Sequence, residues 1–332
     1  MNAKELLMKL SSLDGPSGFE EPVVEEIKKV VEPLADEVRT TKHGSLVVLK
    51  RGTGKGKIAV FSHVDEIGFV VAKVDGEYAR LEPIGGVDPK VIYSSKVKVY
   101  TRNGVGVGVI GMLEPHLQSQ EYREKFIGFD EILLDLSLVE GQVRVGDLAV
   151  IQAEPLDLNG KVAGKALDNR SSCVALIGAL ELLNKYKHAL DVFFVFSTHE
   201  EVGGIGALTS AYSIEPDYAV IVDVTHAEEP PQFDHIRLGK GPVVVHGPVV
   251  DKAFTNRVKE IARKNGVSLQ EEAVGGRSGT ETDLVQIVRR GIKTALVSIP
   301  LKFMHTPVEV VDPKDVEETA RLIALVCSEL EV

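Results

Sequence analysis

The 332-residue sequence has no tryptophan and only two cysteines. No segment of it approaches the ~18 successive apolar residues that a membrane-spanning helix needs. Without tryptophan, no such ring is available to stack on a sugar. The cysteines, Cys173 and Cys327, lie far apart in strongly apolar helical patterns, and neither belongs to a Cys-x-x-Cys pair. Both are read as buried thiols, which also speaks against a cysteine nucleophile. Excess positive charge is missing too: 38 Lys and Arg face 49 Asp and Glu, a formal net charge of −11. That balance repels phosphate backbones and anionic membranes, and no basic stripe interleaved with aromatics offsets it locally. Nucleic acid and membrane are therefore not expected partners. The first ten residues carry Lys4, Glu5 and Lys9 and lack the uninterrupted apolar stretch of a signal peptide, so a cytoplasmic protein is expected.

Several catalytic signatures are absent as well. The glycines and lysines of Arg51–Gly56 lack Walker spacing, and the glycines between Gly104 and Gly111 alternate with valines without a following helix. No Gly-x-Ser-x-Gly elbow occurs. The string beginning at His199 has Gly203 where a zincin requires its second histidine.

What is present is an ordinary globular balance, 44% apolar and 26% charged, in a chain longer than one hydrophobic core usually needs. Helical spacing marks Ala3–Leu10 and Pro22–Val31, followed by short β-branched runs at Leu46–Leu49 and Ile58–Phe61. From about Ile67 to Ile151 the texture is one of short strand-like runs: Gly68–Val74, Tyr78–Pro83, Lys96–Thr101, Val105–Met112 and Asp147–Ile151. Beyond Gly164, helices (Asp168–Lys187, Ile205–Tyr212, Lys252–Lys264, Thr282–Arg290, Pro313–Leu330) alternate with strands (Val192–Ser197, Tyr218–Val222, Thr294–Ile299). Such alternation predicts an α/β sheet covered by helices. The expected organisation is a discontinuous α/β domain, residues 1–65 and 159–332, interrupted by a β-rich insert at 66–158.

Four strand runs lead into metal-capable residues: His63 and Asp65 after Ile58–Ser62, then His199, Glu200 and Glu201 after Val192–Thr198, Asp223 after Tyr218–Val222, and His305 shortly after Thr294–Ile299. Ligands of open α/β sheets bind outside the carboxyl ends of the strands, so these residues should converge, with Asp168 facing the same space from a helix start. Singly, each has a plain structural reading. Asp168 can be an N-cap, His63 or His305 a satisfied histidine, Asp223 a turn cap and Glu200-Glu201 an acidic strand end. Agreement among several strand-end positions favours a site. Imidazole and carboxylate without thiolate suits Zn²⁺, Co²⁺ or Mn²⁺, and an odd number of ligands including one Asp suits a bridged pair of metals. Two such ions can polarise a carbonyl and acidify a shared water, whose proton a spare carboxylate must accept. The Glu200-Glu201 pair offers one ligand and one base. Asp65 is placed to accept a hydrogen bond from the distal nitrogen of His63.

In order along the chain, His63-Val64-Asp65, Ala166 to Arg170, Thr198 to Gly203, Val222-Asp223 and Met304 to Pro307 resemble the signature set of the M42 metallo-aminopeptidases, also called TET or deblocking aminopeptidases. The resemblance extends from Pro16 to Asp312. It implies an aminopeptidase acting on short peptides, with His63 and Asp223 completing one metal site, Glu201 and His305 the other, and Asp168 bridging them. Glu200 would be the general base and Asp65 would orient His63. The family architecture implies a zinc-peptidase-like α/β domain, a PDZ-like dimerisation insert, and a homo-oligomer, typically a dodecamer built from dimers. Arg277 and Lys302 lie in segments near the presumed site and are candidates to pair with an acidic (Glu or Asp) first side chain, against a reading as surface or structural charges. Two other classes remain open: an endoglucanase-type glycoside hydrolase, a label some relatives have carried, and a non-enzymatic metal-binding assembly.

Overall fold

The computed structural model describes residues 2–125, 128–228 and 235–331. Its centre is an eight-stranded mixed sheet in the spatial order Glu37–Thr40, Leu46–Lys50, Asp191–Ser197, Lys57–His63, Tyr218–His226, Lys293–Leu301, Val243–His246, Gln270–Ala273. The four strands in the middle run parallel. They are near-continuous runs of Val, Ile, Phe and Ala because both of their faces are covered. One face packs against the helices Leu167–Leu183, Pro313–Glu329 and Ala3–Ser12, which share a single core with it. The other face is covered by Ile205–Ile214 and the short helix Thr282–Val285.

The helix Leu167–Leu183 is buried on nearly all sides and therefore shows little amphipathic periodicity. The last helix, by contrast, is marked at its start. The Asp312 carboxylate accepts from Lys314 N at 3.0 Å, and Pro313 occupies the first turn, where a missing N–H costs nothing.

Between the strand ending at His63 and the helix starting at Leu167, the chain makes a closed barrel of Gly68–Asp75, Tyr78–Ile84, Leu134–Asp135, Gly104–Ile110, Lys96–Thr101 and Leu148–Ile151. It encloses its own core, including Phe69, Val71, Leu81, Val97, Val99 and Leu134. The alternating glycines are explained by this packing. A Cβ at Gly106 would lie 2.4 Å from Val139 Cγ1, and one at Gly108 would lie 2.7 Å from the Asp135 carbonyl.

The barrel meets the sheet through a buried charge cluster. Lys165 Nζ pairs with Glu66 at 2.7 Å and Asp14 at 3.1 Å, while Lys98 of the barrel reaches Asp14 at 2.8 Å. Arg170, fully buried, donates to the carbonyls of Val64 and Leu10.

The sequence expectations differ from what is observed at several elements, Glu37–Thr40 and Val243–His246 among the strands not foreseen. The helix expected over Thr282–Arg290 ends at Val285, and the chain then turns through Arg289 at φ 55° and Gly291 at φ 89°. The strand Gln270–Ala273 is absent from the pattern reading because it is a short polar edge strand with no apolar alternation to reveal it.

Candidate active site

The sheet register brings the strand ends to one level. Ser197 pairs with His63, and Ile221 pairs with Phe61, which leaves Asp223 level with His63 on the adjoining strand. Asp223 is paired with Ser298 on the next strand, whose end leads into the turn carrying His305. Asp168 arrives from the other side, at the start of the long buried helix, just after Ala166 at φ 56°. Its carboxylate does not cap the helix but points at two histidines.

Asp168 Oδ1 lies 3.2 Å from His63 Nε2, and Asp168 Oδ2 lies 3.3 Å from His305 Nε2. His63 Nε2 is 3.9 Å from Asp223 Oδ1, while His305 Nε2 is 3.4 Å from Glu201 Oε1. The donors thus form two groups with a shared member, His63 with Asp168 and Asp223, and Asp168 with Glu201 and His305. Glu200 and Glu201 also come within reach of His63.

Both imidazoles are aimed by backbone carbonyls. His63 Nδ1 is 3.2 Å from the carbonyl of Asp65, and His305 Nδ1 is 2.9 Å from the carbonyl of Gly86 in the barrel. A donating Nδ1–H leaves Nε2 free to ligate. The Asp65 side chain is farther from His63, at 3.5 Å, and its main engagement is elsewhere. Its two oxygens accept the backbone N–H groups of Glu200 and Glu201, each at 3.1 Å, and the hydroxyl of Ser17 at 2.6 Å. One buried carboxylate therefore fixes the turn that presents both glutamates. Glu309, which sequence reasoning missed, does the same for the opposite side: it accepts from Asp168 N at 3.0 Å and from His305 N at 2.8 Å. Its only sequence signal is its position four residues beyond His305, at the start of a short buried strand.

The electrostatics are those of a concentrated acidic pocket. Burial and the neighbouring Asp168 carboxylate push Asp223 up to about 8. Burial, with Asp223, Glu281 and Glu201 nearby, raises Glu200 to about 9. For His305, burial alone would lower the pKa, but Asp168 and Glu201 outweigh it and raise it to about 11. His63 is likewise held well above its ordinary value by Asp168 and Asp65 against the effect of burial. Each shift favours positive charge in the same small volume.

The residues fit a pair of divalent cations. Two imidazoles and three carboxylates converge without thiolate, and Asp168 Oδ1 is a buried acceptor that approaches His63 without making a hydrogen bond. The adjoining cleft, about 840 Å³ including its open mouth, is lined by His63, Asp168, Glu200, Glu201, Asp223 and His305 together with residues of the outer strands. Neither Arg277 nor Lys302 lines it. The Arg277 side chain is 88% exposed and sits 3.5 Å from Asp283, and Lys302 faces Glu228 at 3.8 Å. The cation these residues were expected to offer an acidic substrate is thus not part of the cleft lining.

Cys173 and Cys327 are both buried free thiols, raised by burial to about 11 and about 12, so neither supplies a thiolate. No helix among the described residues is long and apolar enough to cross a membrane.

The chain is similar over nearly its whole length to known proteins. A lysyl aminopeptidase of Pyrococcus furiosus is 32% identical over 98% of this chain and 97% of its own length. An aminopeptidase structure from the archaeon Desulfurococcus kamchatkensis superposes with TM-score 0.91 at 32% identity, covering 99% of this chain and 95% of that one. The TET1 peptidase of Pyrococcus horikoshii, described as assembling into a tetrahedron or a large octahedral shell, matches with TM-score 0.87 at 32% identity, over 99% of this chain and 100% of that one. With residues 44–322 matching the model of the M42 glutamyl aminopeptidases, the chain belongs to that family of peptide-bond hydrolases.

Proposed function

We propose that the chain is a binuclear aminopeptidase that removes N-terminal residues from short peptides. The observation that carries this reading is Asp168, whose two oxygens face His63 and His305 separately, as a bridging ligand requires. His63 and Asp223 complete one metal position, and Glu201 and His305 the other. When bound, two ions of Zn²⁺, Co²⁺ or Mn²⁺ supply polarisation of the scissile carbonyl and a more acidic water.

The protein's own part is positioning and proton transfer. Glu200 is the general base. It borders the cleft beside the ligand cluster, and it is not needed as a ligand in the two-group arrangement. Asp65 holds Glu200 and Glu201 in their relative places, and its backbone carbonyl orients His63.

A glycosidase would need two carboxylates flanking a sugar ring. Here Glu200 and Glu201 are consecutive, with both backbone N–H groups tied to a single Asp65, and the sequence contains no Trp. The TET1 relative's shell supports a homo-oligomeric state for this chain as well. The insert at 66–158 then serves as the dimerisation module and a dodecamer as the assembled form.

The deciding experiment strips metal with a chelator, restores Zn²⁺, Co²⁺ or Mn²⁺ separately, and assays aminoacyl anilides beside their N-acetylated forms. Metal-restored cleavage confined to free amines is expected. Cleavage of acetylated and free substrates at equal rates would remove the aminopeptidase reading, and metal binding without any turnover would favour a non-enzymatic assembly.

A further inference from the structure

With three carboxylates and two imidazoles assigned to metals and Glu200 to the proton, the cleft retains another acidic side chain, Glu272. It lies on the edge strand Gln270–Ala273, whose side chains alternate between faces. Glu271 points outward, where Lys259 reaches it at 2.8 Å and His246 at 2.9 Å. Glu272 points the other way, half-buried, into the cleft. Its Oε2 accepts a hydrogen bond from the Thr225 hydroxyl at 2.8 Å, and Thr225 stands two residues beyond Asp223 on the same strand. The carboxylate is therefore fixed, by a neutral hydroxyl, to the strand that carries a metal ligand.

Val245, Val274, Leu296 and Met304 add apolar surface to the same cleft. No lysine or arginine stands among the described residues lining it. A substrate whose scissile carbonyl sits at the metal pair has room for its first side chain in this cleft. An acidic side chain would meet the Glu272 carboxylate with no lysine or arginine among the described lining residues. A lysyl or arginyl side chain would lay its aliphatic stem on the apolar wall and carry its charge to Glu272.

Resting on the aminopeptidase reading above, we infer that Glu272 selects peptides with a basic first residue. The test compares kcat/KM for lysyl, arginyl, leucyl and glutamyl anilides in the metal-loaded protein and in Glu272→Gln, which keeps an acceptor for Thr225. The lysyl-to-leucyl ratio should fall at least tenfold in Glu272→Gln, and Glu272→Lys should raise the glutamyl-to-leucyl ratio. A lysyl-to-leucyl ratio unchanged by Glu272→Gln, or a wild-type preference for glutamyl over lysyl substrate, overturns the inference.

A calorimetric arm keeps this separable from the parent reading. Lysinamide should bind the metal-loaded protein at least tenfold more tightly than leucinamide, with the difference lost in Glu272→Gln. If no anilide is cleaved at all, the aminopeptidase reading fails, yet the binding comparison still decides the role of Glu272, and equal affinities for the two amides reject it.

Discussion

The Glu309 carboxylate accepts the backbone N–H of Asp168 at 3.0 Å with one oxygen. Its other oxygen takes the N–H of His305 at 2.8 Å, so a single fully buried side chain ties a helix start to a loop from the far end of the chain. Both residues it holds are candidate ligands, and neither backbone position is part of regular helix or sheet hydrogen bonding. Such outer partners set the orientation of first ligands, and their loss typically weakens metal binding 10- to 100-fold. Glu309→Gln keeps one acceptor but turns an amide NH₂ toward the other N–H. Metal affinity should fall by about that factor, and stability by about 1–3 kcal/mol from the unsatisfied donor. Metal titration followed by calorimetry of unfolding checks both, and an unaltered affinity would free Glu309 of this role.

Glu200→Gln tests the proton acceptor separately from the ligand set. The amide has nearly the same shape, its backbone N–H still reaches Asp65, and no ligand is removed. The variant should keep both metal equivalents while kcat falls by about 10²–10⁴, the usual contribution of a positioned base. An unchanged kcat takes Glu200 out of that role.

Much of this arrangement was legible in the sequence because the central strands are uninterrupted apolar runs, and such a run ends visibly when it meets His63, His199 or Asp223. The organisation of chain ends around an insert was legible for the same reason, as a change from long helical periods to short strands near Ile67. What escaped has a common physical cause. Glu309 and Glu281 are buried acids whose partners are backbone N–H groups or a distant serine, so nothing in their neighbourhood of the sequence announces them. Asp65 stood out in the sequence through its spacing from His63. That its carboxylate grips the Glu200-Glu201 turn depends on a contact 135 residues away. Arg277 and Lys302 lie in segments next to the site, yet neither lines the cleft; they pair with Asp283 and Glu228 instead.

The junction between barrel and sheet predicts an acid-limb effect. Asp14 is held below its ordinary value of 3.8: burial would raise it, but Lys165, Lys98 and the Tyr100 hydroxyl outweigh that. A carboxylate that is harder to protonate when folded stabilises the fold fully above its unfolded pKa. That contribution disappears as pH falls through the lowered folded value. Asp14→Asn should therefore unfold at a lower temperature near neutrality, with the gap to wild type narrowing below about pH 4. Parallel melting curves at all pH values would show that Asp14 is not linked to folding in this way.

Gly86 is the point at which the barrel touches the candidate metal pair. Its carbonyl faces His305 Nδ1 at 2.9 Å, and a Cβ built on it would come within 2.7 Å of that nitrogen and 2.9 Å of Cε1. Its neighbour Gly85 is equally crowded, by Glu201 Oε2 at 2.7 Å. Contacts that short cannot persist, so Gly86→Ala must shift either the imidazole or the barrel edge. His63 is oriented by Asp65 within its own domain and should be unaffected. The expected outcome is therefore selective: the His305 and Glu201 position binds its metal more weakly by about tenfold or more, as loss of a ligand's orienting partner does, while the other is retained. Gly111→Ala is the matched control, since nothing lies within 4 Å of its added methyl. Two-site titrations that come out the same for both variants would show that the barrel does not shape the metal site through Gly86.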